Sequence, residues 1–285
     1  MDAGVLAWLG LVAAIAALLV VDLFFAHRRA VTIRAAAGWS ALWMAVGVAF
    51  GLVLLATLGD AAAGRYWAGF LLEKSLSLDN VFVIAVLLTS FAVPPERKSD
   101  VLTFGIATAL VLRAVFIVAG VTLIELFHPV LYAMGALLIV TGVRVARAGD
   151  GGEGFARGRL MTGLRRVMPR PLLAALLAVA LADVVFAIDS IPAVLAITTD
   201  AFLVFAANAF ALLGMRALYF LLDGAQQRFA HLHAGLGALL VFVGAKMLVE
   251  DVIHIPVGVS LAVIAATLGG SLLIPRRPAY ARDAG

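Results

Sequence analysis

Cysteine is absent from the 285 residues, and charged side chains are scarce. Without cysteine the chain cannot form disulfides, thiolate metal sites or a cysteine nucleophile. Only 13% of the residues are Asp, Glu, Lys or Arg, against about 25% in an average soluble domain, whereas 64% are hydrophobic. A globule of this size cannot bury so much apolar surface. The composition therefore excludes a soluble enzyme and a disordered chain, and it predicts a protein of the lipid bilayer.

Common catalytic motifs are also missing. The chain has no phosphate loop, HExxH sequence or nucleophile elbow. Its net charge is +4, but the basic residues stand between apolar runs, as membrane topology requires, and not in one patch for a nucleic acid. We therefore predict that the protein is not an enzyme, holds no cofactor and binds no nucleic acid.

Long apolar runs are what the sequence has in abundance. A helix needs roughly 20 mostly apolar residues to span a bilayer. Nine such runs lie near residues 4–26, 38–58, 66–93, 101–126, 129–147, 172–198, 201–222, 234–250 and 255–274. They predict an all-α membrane protein with about nine transmembrane helices.

Basic residues predict the orientation in the membrane. With nine spans, 16 of the 21 Lys and Arg residues fall on one side, Arg65 alone falls on the other, and four lie within or at the ends of spans. Because basic loops stay in the cytoplasm, we expect the N-terminus outside and the C-terminus in the cytoplasm. The Gly- and Arg-rich segment 148–171 is predicted to be a cytoplasmic loop that contacts anionic lipid or has a regulatory role.

An internal repeat relates two halves of the chain. Three pairs of segments match in the same order: 73–80 with 183–190, 112–116 with 215–219, and 135–144 with 237–246. Within a single membrane domain, 1–285, the matches predict a repeat A near 66–147 and a repeat B near 172–250, each with three spans. An odd number of spans inverts the second copy, and transporters built in this way bind their substrate between the copies.

Charged residues inside the spans indicate the functional site. Each ionised group at the bilayer centre costs about 2.5–3.5 kcal/mol on insertion scales. The acids are Asp22, Glu73, Asp79, Asp183 and Asp189, and the bases are Lys74, Arg113, Arg216 and Lys246. The arginines are either buried ion-pair partners or functional countercharges, and the lysines either snorkel to the surface or serve the site. Asp22 is a functional acid, a helix-end residue or the partner of Arg113.

The two acids of each matched motif stand six residues apart. On a regular helix this spacing leaves them about 120° and about 9 Å apart, so they cannot hold one ion together unless the helix is interrupted. Pro192 favours an interruption in the second copy, where it would free the carbonyl of Ile188, whereas Phe82 occupies the equivalent position in the first copy. Carboxylates, together with the amide of Asn80 and the hydroxyl of Ser190, are oxygen ligands that suit Mn²⁺, Mg²⁺ or Ca²⁺.

The acidic motifs resemble one known family. Residues 73–82, 182–193 and 214–220 resemble the TerC family of integral membrane proteins, and the likeness runs from about Asp22 to His254. The resemblance implies a multi-pass protein of the bacterial inner membrane in the lysine-exporter-like superfamily. It also implies Mn²⁺ export and metal homeostasis, in a family that was named for tellurium resistance.

Together these features predict a secondary transporter that expels Mn²⁺, with protons as the exchanged ion. Asp79 and Asp189 would bind the cation directly. Glu73, Asp183 and Asn80 would complete its ligand shell.

Other residues would support this site. Asp22 would be a gate or a proton carrier, and Arg113 and Arg216 would orient carboxylates and replace the charge of the ion when it leaves. Lys74 and Ser190 are further supporting residues. Two alternatives stay open, namely a non-transporting membrane partner that loads metal or scaffolds a stress complex, and an exporter of small organic solutes. A homo-oligomer is compatible with either.

Overall fold

The structure is a computed structural model, and it is built of helices. It describes residues 4–26, 32–127, 129–148, 163, 170–223, 232–249, 252–253 and 255–273. The helices with described bounds are α1 (Val5–Ala26), α2 (Ile33–Leu58), α3 (Asp60–Ser90), α4 (Pro95–Leu126), α5 (Val130–Ala148), α6 (Pro171–Leu195), α7 (Ala201–Leu212), α8 (Met215–Asp223), α9 (Leu232–Val249) and α10 (Val257–Leu273). No strand occurs in these ranges. The prediction of an all-α membrane protein is confirmed.

The helices follow the predicted apolar runs, and α7 with α8 corresponds to the seventh run. Within the residues that the structure describes, six stretches are long and apolar enough to cross a bilayer: Val5–Asp22, Ile33–Leu58, Pro95–Leu126, Val130–Arg147, Leu172–Leu195 and Ala201–Leu221. Two shorter apolar helical stretches are Gly237–Val249 and Gly258–Thr267. The count of nine spans and the inverted repeat stay predictions. Most of the predicted loop 148–171 lies outside the described residues.

Large apolar side chains are exposed along several helices. Examples from α1, α2 and α4 are Leu6, Phe24, Leu52, Val111, Val118 and Leu126. In water, contiguous apolar surface of this kind would drive association. In a bilayer it faces lipid tails, so the outward faces of these helices fit the membrane environment that the composition predicts.

Helix starts and turns are set by a few polar or small residues. The Thr32 side chain accepts a hydrogen bond from the Ala35 amide at the start of α2, and the Asp200 side chain accepts from the amides of Phe202 and Leu203 at the start of α7. Both are N-caps that satisfy amides left free by the first turn. Gly59, with φ 85°, forms the sharp turn from α2 into α3.

Helix α3 lies at the centre of the bundle. It contacts α2, α6, α7, α8 and α10, and its middle turns are buried, from Leu72 to Ser77. Helix α1, in contrast, packs mainly on α7. A charged residue in the middle of α3 must therefore find a partner on a neighbouring helix, because water does not reach it.

Helices α5 and α9 cross through facing glycines. A Cβ built on Gly142 would lie 2.6 Å from the carbonyl oxygen of Gly237, and one built on Gly135 would lie 2.9 Å from that of Gly244. The two backbones therefore touch at two points, as in the small-residue contacts typical of membrane helices. The pairing runs antiparallel, because the earlier glycine of each helix faces the later glycine of the other.

The helix interruption does not occur where Pro192 predicted it. Helix α6 is continuous from Pro171 to Leu195 and includes Pro192, so the prediction of a break between Asp183 and Asp189 was wrong. Pro192 lies within the last turn and lacks the N–H that would bond to the carbonyl of Ile188, yet the helix continues through it to Leu195. The seventh run is interrupted instead: α7 ends at Leu212, Gly214 has φ 75°, and α8 begins at Met215. We call this the α7–α8 break.

Candidate ion site

Glu73 forms a buried ion pair that reaches across three helices. Its side chain is fully buried in α3. Arg113 of α4 donates from Nη1 both to Oε1 of Glu73 and to Oδ1 of Asn208 on α7. Asn208 in turn donates to the carbonyl of Val204 at 2.8 Å, which fixes its amide. The pair holds α3, α4 and α7 together at one depth in the bundle.

Asp22 pairs with Arg216, and not with Arg113. Nε and Nη2 of Arg216 lie 3.0 and 2.5 Å from Oδ2 of Asp22, and Nη1 donates to Oγ1 of Thr103 at 2.9 Å. Asp22 and Arg216 are both buried. Helix α1 has few other contacts, so this pair attaches its C-terminal end to α8. Arg216 also links the pair to α4 through Thr103. The alternative that Asp22 is the partner of Arg113 was wrong.

Lys74 does not snorkel. Its side chain is buried, and Nζ donates to the carbonyls of Ala211 and Leu213, each at 2.9 Å. Those carbonyls belong to the end of α7, so the ammonium lies at the α7–α8 break. Lys246 is buried as well. Snorkelling is therefore wrong for both lysines.

Asp183 is buried in α6 next to α4. Its Oδ2 atom lies 3.9 Å from the position of a Cβ built on Gly105, and the positive charge of Arg113 acts on it. Among the described residues, Oδ2 has no hydrogen-bond partner. A buried carboxylate oxygen without a partner is unfavourable unless a proton or a cation meets it.

Other buried oxygens share this property. Within the part of the chain that the structure describes, Oε2 of Glu73 and the hydroxyls of Ser77 and Ser190 also lack hydrogen-bond partners. Glu73, Ser77 and Asn80 follow the spacing i, i+4, i+7, which places them on one face of α3. Asp183 and Ser190 share a face of α6 in the same way, and α3 contacts α6. Two neighbouring helices thus each carry a buried stripe of oxygen and amide groups.

The structure places Asp79 in α3 and Asp189 in α6, but their side chains lie outside the described part. Asn80 and Ser190, which follow them, are buried. Among the described side chains, no group of three His, Asp or Glu residues is arranged to hold a metal ion. Two described members of the predicted set are instead held by different arginines, because Glu73 pairs with Arg113 and Asp22 pairs with Arg216.

Sequence reasoning missed two polar partners. Asn208 is the only polar residue between Ala201 and Leu213, and a lone amide in an apolar span is itself a signal of a buried contact. Asn208 stands eight residues before Arg216. In the first repeat, which matches Arg216 with Arg113, the equivalent position is occupied by Gly105. Thr103 carries no comparable signal, because a threonine within a helix can bond to the backbone of its own helix.

The chain matches one family of known proteins over most of its length. The model of the integral membrane protein TerC family matches residues 58–279, a range that includes Glu73, Arg113, Asp183 and Arg216. The chain belongs to the TerC family of integral membrane proteins. The resemblance predicted from the acidic motifs is confirmed.

Full-length relatives of this TerC chain occur in several bacteria. An uncharacterized membrane protein of Myxococcus xanthus is 41% identical over 97% of this chain and 95% of its own length. The protein called Alx in Escherichia coli strain K12, described by its name as a candidate membrane-bound redox modulator, is 39% identical over 98% of this chain and 96% of its own length. A membrane protein of Rickettsia bellii is 32% identical over 90% of this chain. No solved structure matches.

Proposed function

We propose that this TerC protein is a secondary transporter that exports a divalent cation, Mn²⁺, across the bacterial inner membrane in exchange for protons. Buried Asp183 carries the proposal, because one of its carboxylate oxygens has no partner among the described residues. A carboxylate in this position is poorly stabilised until a cation or a proton binds it. A group that accepts either of the two is what exchange requires.

The surrounding chemistry favours a hard cation. The unpartnered atoms near the centre of α3 and α6 are carboxylate and hydroxyl oxygens, from Glu73, Ser77, Asp183 and Ser190. Oxygen ligands of this kind suit Mn²⁺, Mg²⁺ and Ca²⁺. An anion would meet repulsion from the same carboxylates, and a soft metal would find no thiolate, since the chain has no cysteine.

The ion pairs give the arginines a role in this scheme. In the structure Arg113 neutralises Glu73, and Arg216 neutralises Asp22. An arriving divalent cation would compete with Arg113 for Glu73, while Asp79 and Asp189 bind the ion directly and Asn80 completes the shell. On release of the ion, the guanidinium would again provide the positive charge. Asp22, held by Arg216, would act as the gate or proton carrier.

The name carried by the Alx relatives suggests a different activity, redox modulation. Thiol chemistry cannot serve it in this chain, which lacks cysteine. Metal export could change the redox state of a cell indirectly, so the name does not conflict with the proposal.

Transport in proteoliposomes tests the proposal. We expect the parent protein to take up Mn²⁺ in exchange for protons when a proton gradient is imposed. The variants Asp79→Asn, Asp183→Asn and Asp189→Asn should each transport at least about tenfold more slowly, because changes around a metal site commonly cost that much. The matched control is Asp100→Asn, an identical change at the exposed Asp100–Arg97 pair, which should transport like the parent.

Two results would contradict the proposal. If all three variants moved Mn²⁺ as fast as the Asp100→Asn control, the acids would not form the transport site. If the parent bound Mn²⁺ without any flux, the protein would be a metal-binding membrane partner and not a transporter.

A further inference from the structure

Among the described residues, the α7–α8 break leaves the carbonyl oxygens of Ala211 and Leu213 without a backbone partner inside the protein. The last four carbonyls of any helix have no partner within it, and here the helix ends at a buried point, since Ala211, Leu212 and Leu213 are all buried. The chain turns through Gly214, where an added Cβ would lie 2.5 Å from Trp43. Because the turn is packed so closely, the free carbonyls need a partner from the protein or a small ion.

Lys74 provides that partner from α3. Its Nζ atom is 2.9 Å from the carbonyl oxygens of both Ala211 and Leu213, and the side chain is buried. A positive charge at a helix C-terminus is also favoured by the helix dipole. The position is thus shaped to hold one positive charge.

We propose that the α7–α8 break is a monovalent-cation site that the chain fills with its own Lys74. Transporters hold coupling cations with backbone carbonyls and helix C-termini at unwound points of this kind. K⁺ and NH₄⁺ carry the same charge as the lysine ammonium and are bound by the same type of oxygen. A tethered ammonium makes a free monovalent ion unnecessary at this position.

This inference goes beyond the transport proposal and does not depend on it. The Mn²⁺ ligands proposed above are side-chain oxygens of α3 and α6, whereas this site consists of backbone carbonyls of α7 and the turn that follows it. The two are mechanically linked, because adjacent residues Glu73 and Lys74 both connect α3 to α7. Protein stability in detergent can test the cation site even if no Mn²⁺ moves.

The test is rescue of Lys74→Ala by small cations. In choline chloride, which supplies a cation too large for the site, we expect the thermal midpoint of purified Lys74→Ala to fall below that of the parent. Adding NH₄Cl or KCl at equal ionic strength should raise this midpoint in a saturable way. The parent should show no such saturable rise, because Lys74 already occupies the site.

Lys74→Met is the matched control, since its side chain fills the space without carrying a charge. It should be destabilised and should not respond to NH₄⁺ or K⁺ beyond the choline series. The proposal is overturned if neither ion raises the midpoint of Lys74→Ala above choline, or if both ions raise Lys74→Met equally. If Lys74→Ala does not fold in choline, it should be recovered monodisperse in NH₄Cl. The proposal is also overturned if Lys74→Ala cannot be recovered folded in either salt while Lys74→Gln is recovered equally well in both.

Discussion

At the scale of single residues, Arg113, Arg216 and Lys74 each bury a positive charge and donate hydrogen bonds to different kinds of acceptor. Arg113 uses a carboxylate and an amide, Arg216 uses a carboxylate and a hydroxyl, and Lys74 uses two backbone carbonyls. The planar guanidinium can serve two acceptors on different helices at once, whereas the ammonium suits oxygens that converge on a point. Residue type at each position therefore follows the geometry of the acceptors.

Removal of one partner from the Glu73–Arg113 pair should be strongly destabilising. We expect Arg113→Met to lower the free energy of unfolding by about 3–5 kcal/mol, because it leaves a buried carboxylate without its countercharge. The measurement is unfolding in mixed detergent micelles. Arg97→Met is the control: it breaks an exposed pair with Asp100, and exposed pairs contribute about 0.2–1 kcal/mol.

A double variant separates the charge effect from the loss of packing. Glu73→Gln combined with Arg113→Met removes both charges, so the loss should be smaller than the sum of the two single losses. Additive losses would show that the two side chains are not energetically coupled, contrary to the contact in the structure.

At the scale of elements, helix ends and helix contacts are decided by small residues. The α7–α8 break depends on Gly214, whose positive φ favours glycine. The α5–α9 crossing depends on Gly135, Gly142, Gly237 and Gly244, which let the two backbones touch. Glycine in the middle of a helix lowers helix stability, so the close contact must compensate for that cost.

Replacing a glycine by alanine at the α5–α9 crossing should show how much the close backbone contact contributes to stability. We expect Gly142→Ala to lower stability by about 1–3 kcal/mol, the usual cost of overpacking, because its Cβ would lie 2.6 Å from the backbone of Gly237. Gly38→Ala in α2 is the control, since nothing lies within 4 Å of the added Cβ. There the higher helix propensity of alanine should raise stability by about 0.5–1 kcal/mol. Equal effects at the two sites in the same unfolding assay would contradict the tight crossing.

At the scale of the whole molecule, the distribution of basic residues predicts which face is cytoplasmic. Arg65 near the start of α3 lies on the sparsely charged side, whereas Arg97 and Lys98 at the start of α4 lie on the strongly basic side. Loops rich in Lys and Arg stay in the cytoplasm. The turn between α2 and α3 should therefore face outward and the turn between α3 and α4 should face the cytoplasm.

Single cysteines test this orientation without background, because the parent has none. Asp60→Cys and Glu96→Cys both place a thiol at an exposed helix start. A membrane-impermeant maleimide should label Asp60→Cys in intact spheroplasts and should label Glu96→Cys only after permeabilisation. The reverse pattern would show that the protein is inserted the other way round.

The sequence by itself determined the membrane character, the positions of most helices, the family and the charged side chains that the described part of the structure buries. These features follow from local composition: an apolar run forms a helix wherever it meets lipid, and a charge within such a run must find a partner.

Only the tertiary structure decided the partners and the position of the helix break. If the two repeats were equivalent in every contact, Arg216 would pair with Asp183 as Arg113 pairs with Glu73, yet it pairs with Asp22, which lies 194 residues away in the chain. The physical reason is that pairing depends on which helices pack side by side, and no local pattern encodes that. The position of the break has the same cause. The helix continues through Pro192, whereas at Gly214 it breaks beside Trp43 of α2, and Lys74 of α3 binds the carbonyl of the preceding residue, Leu213.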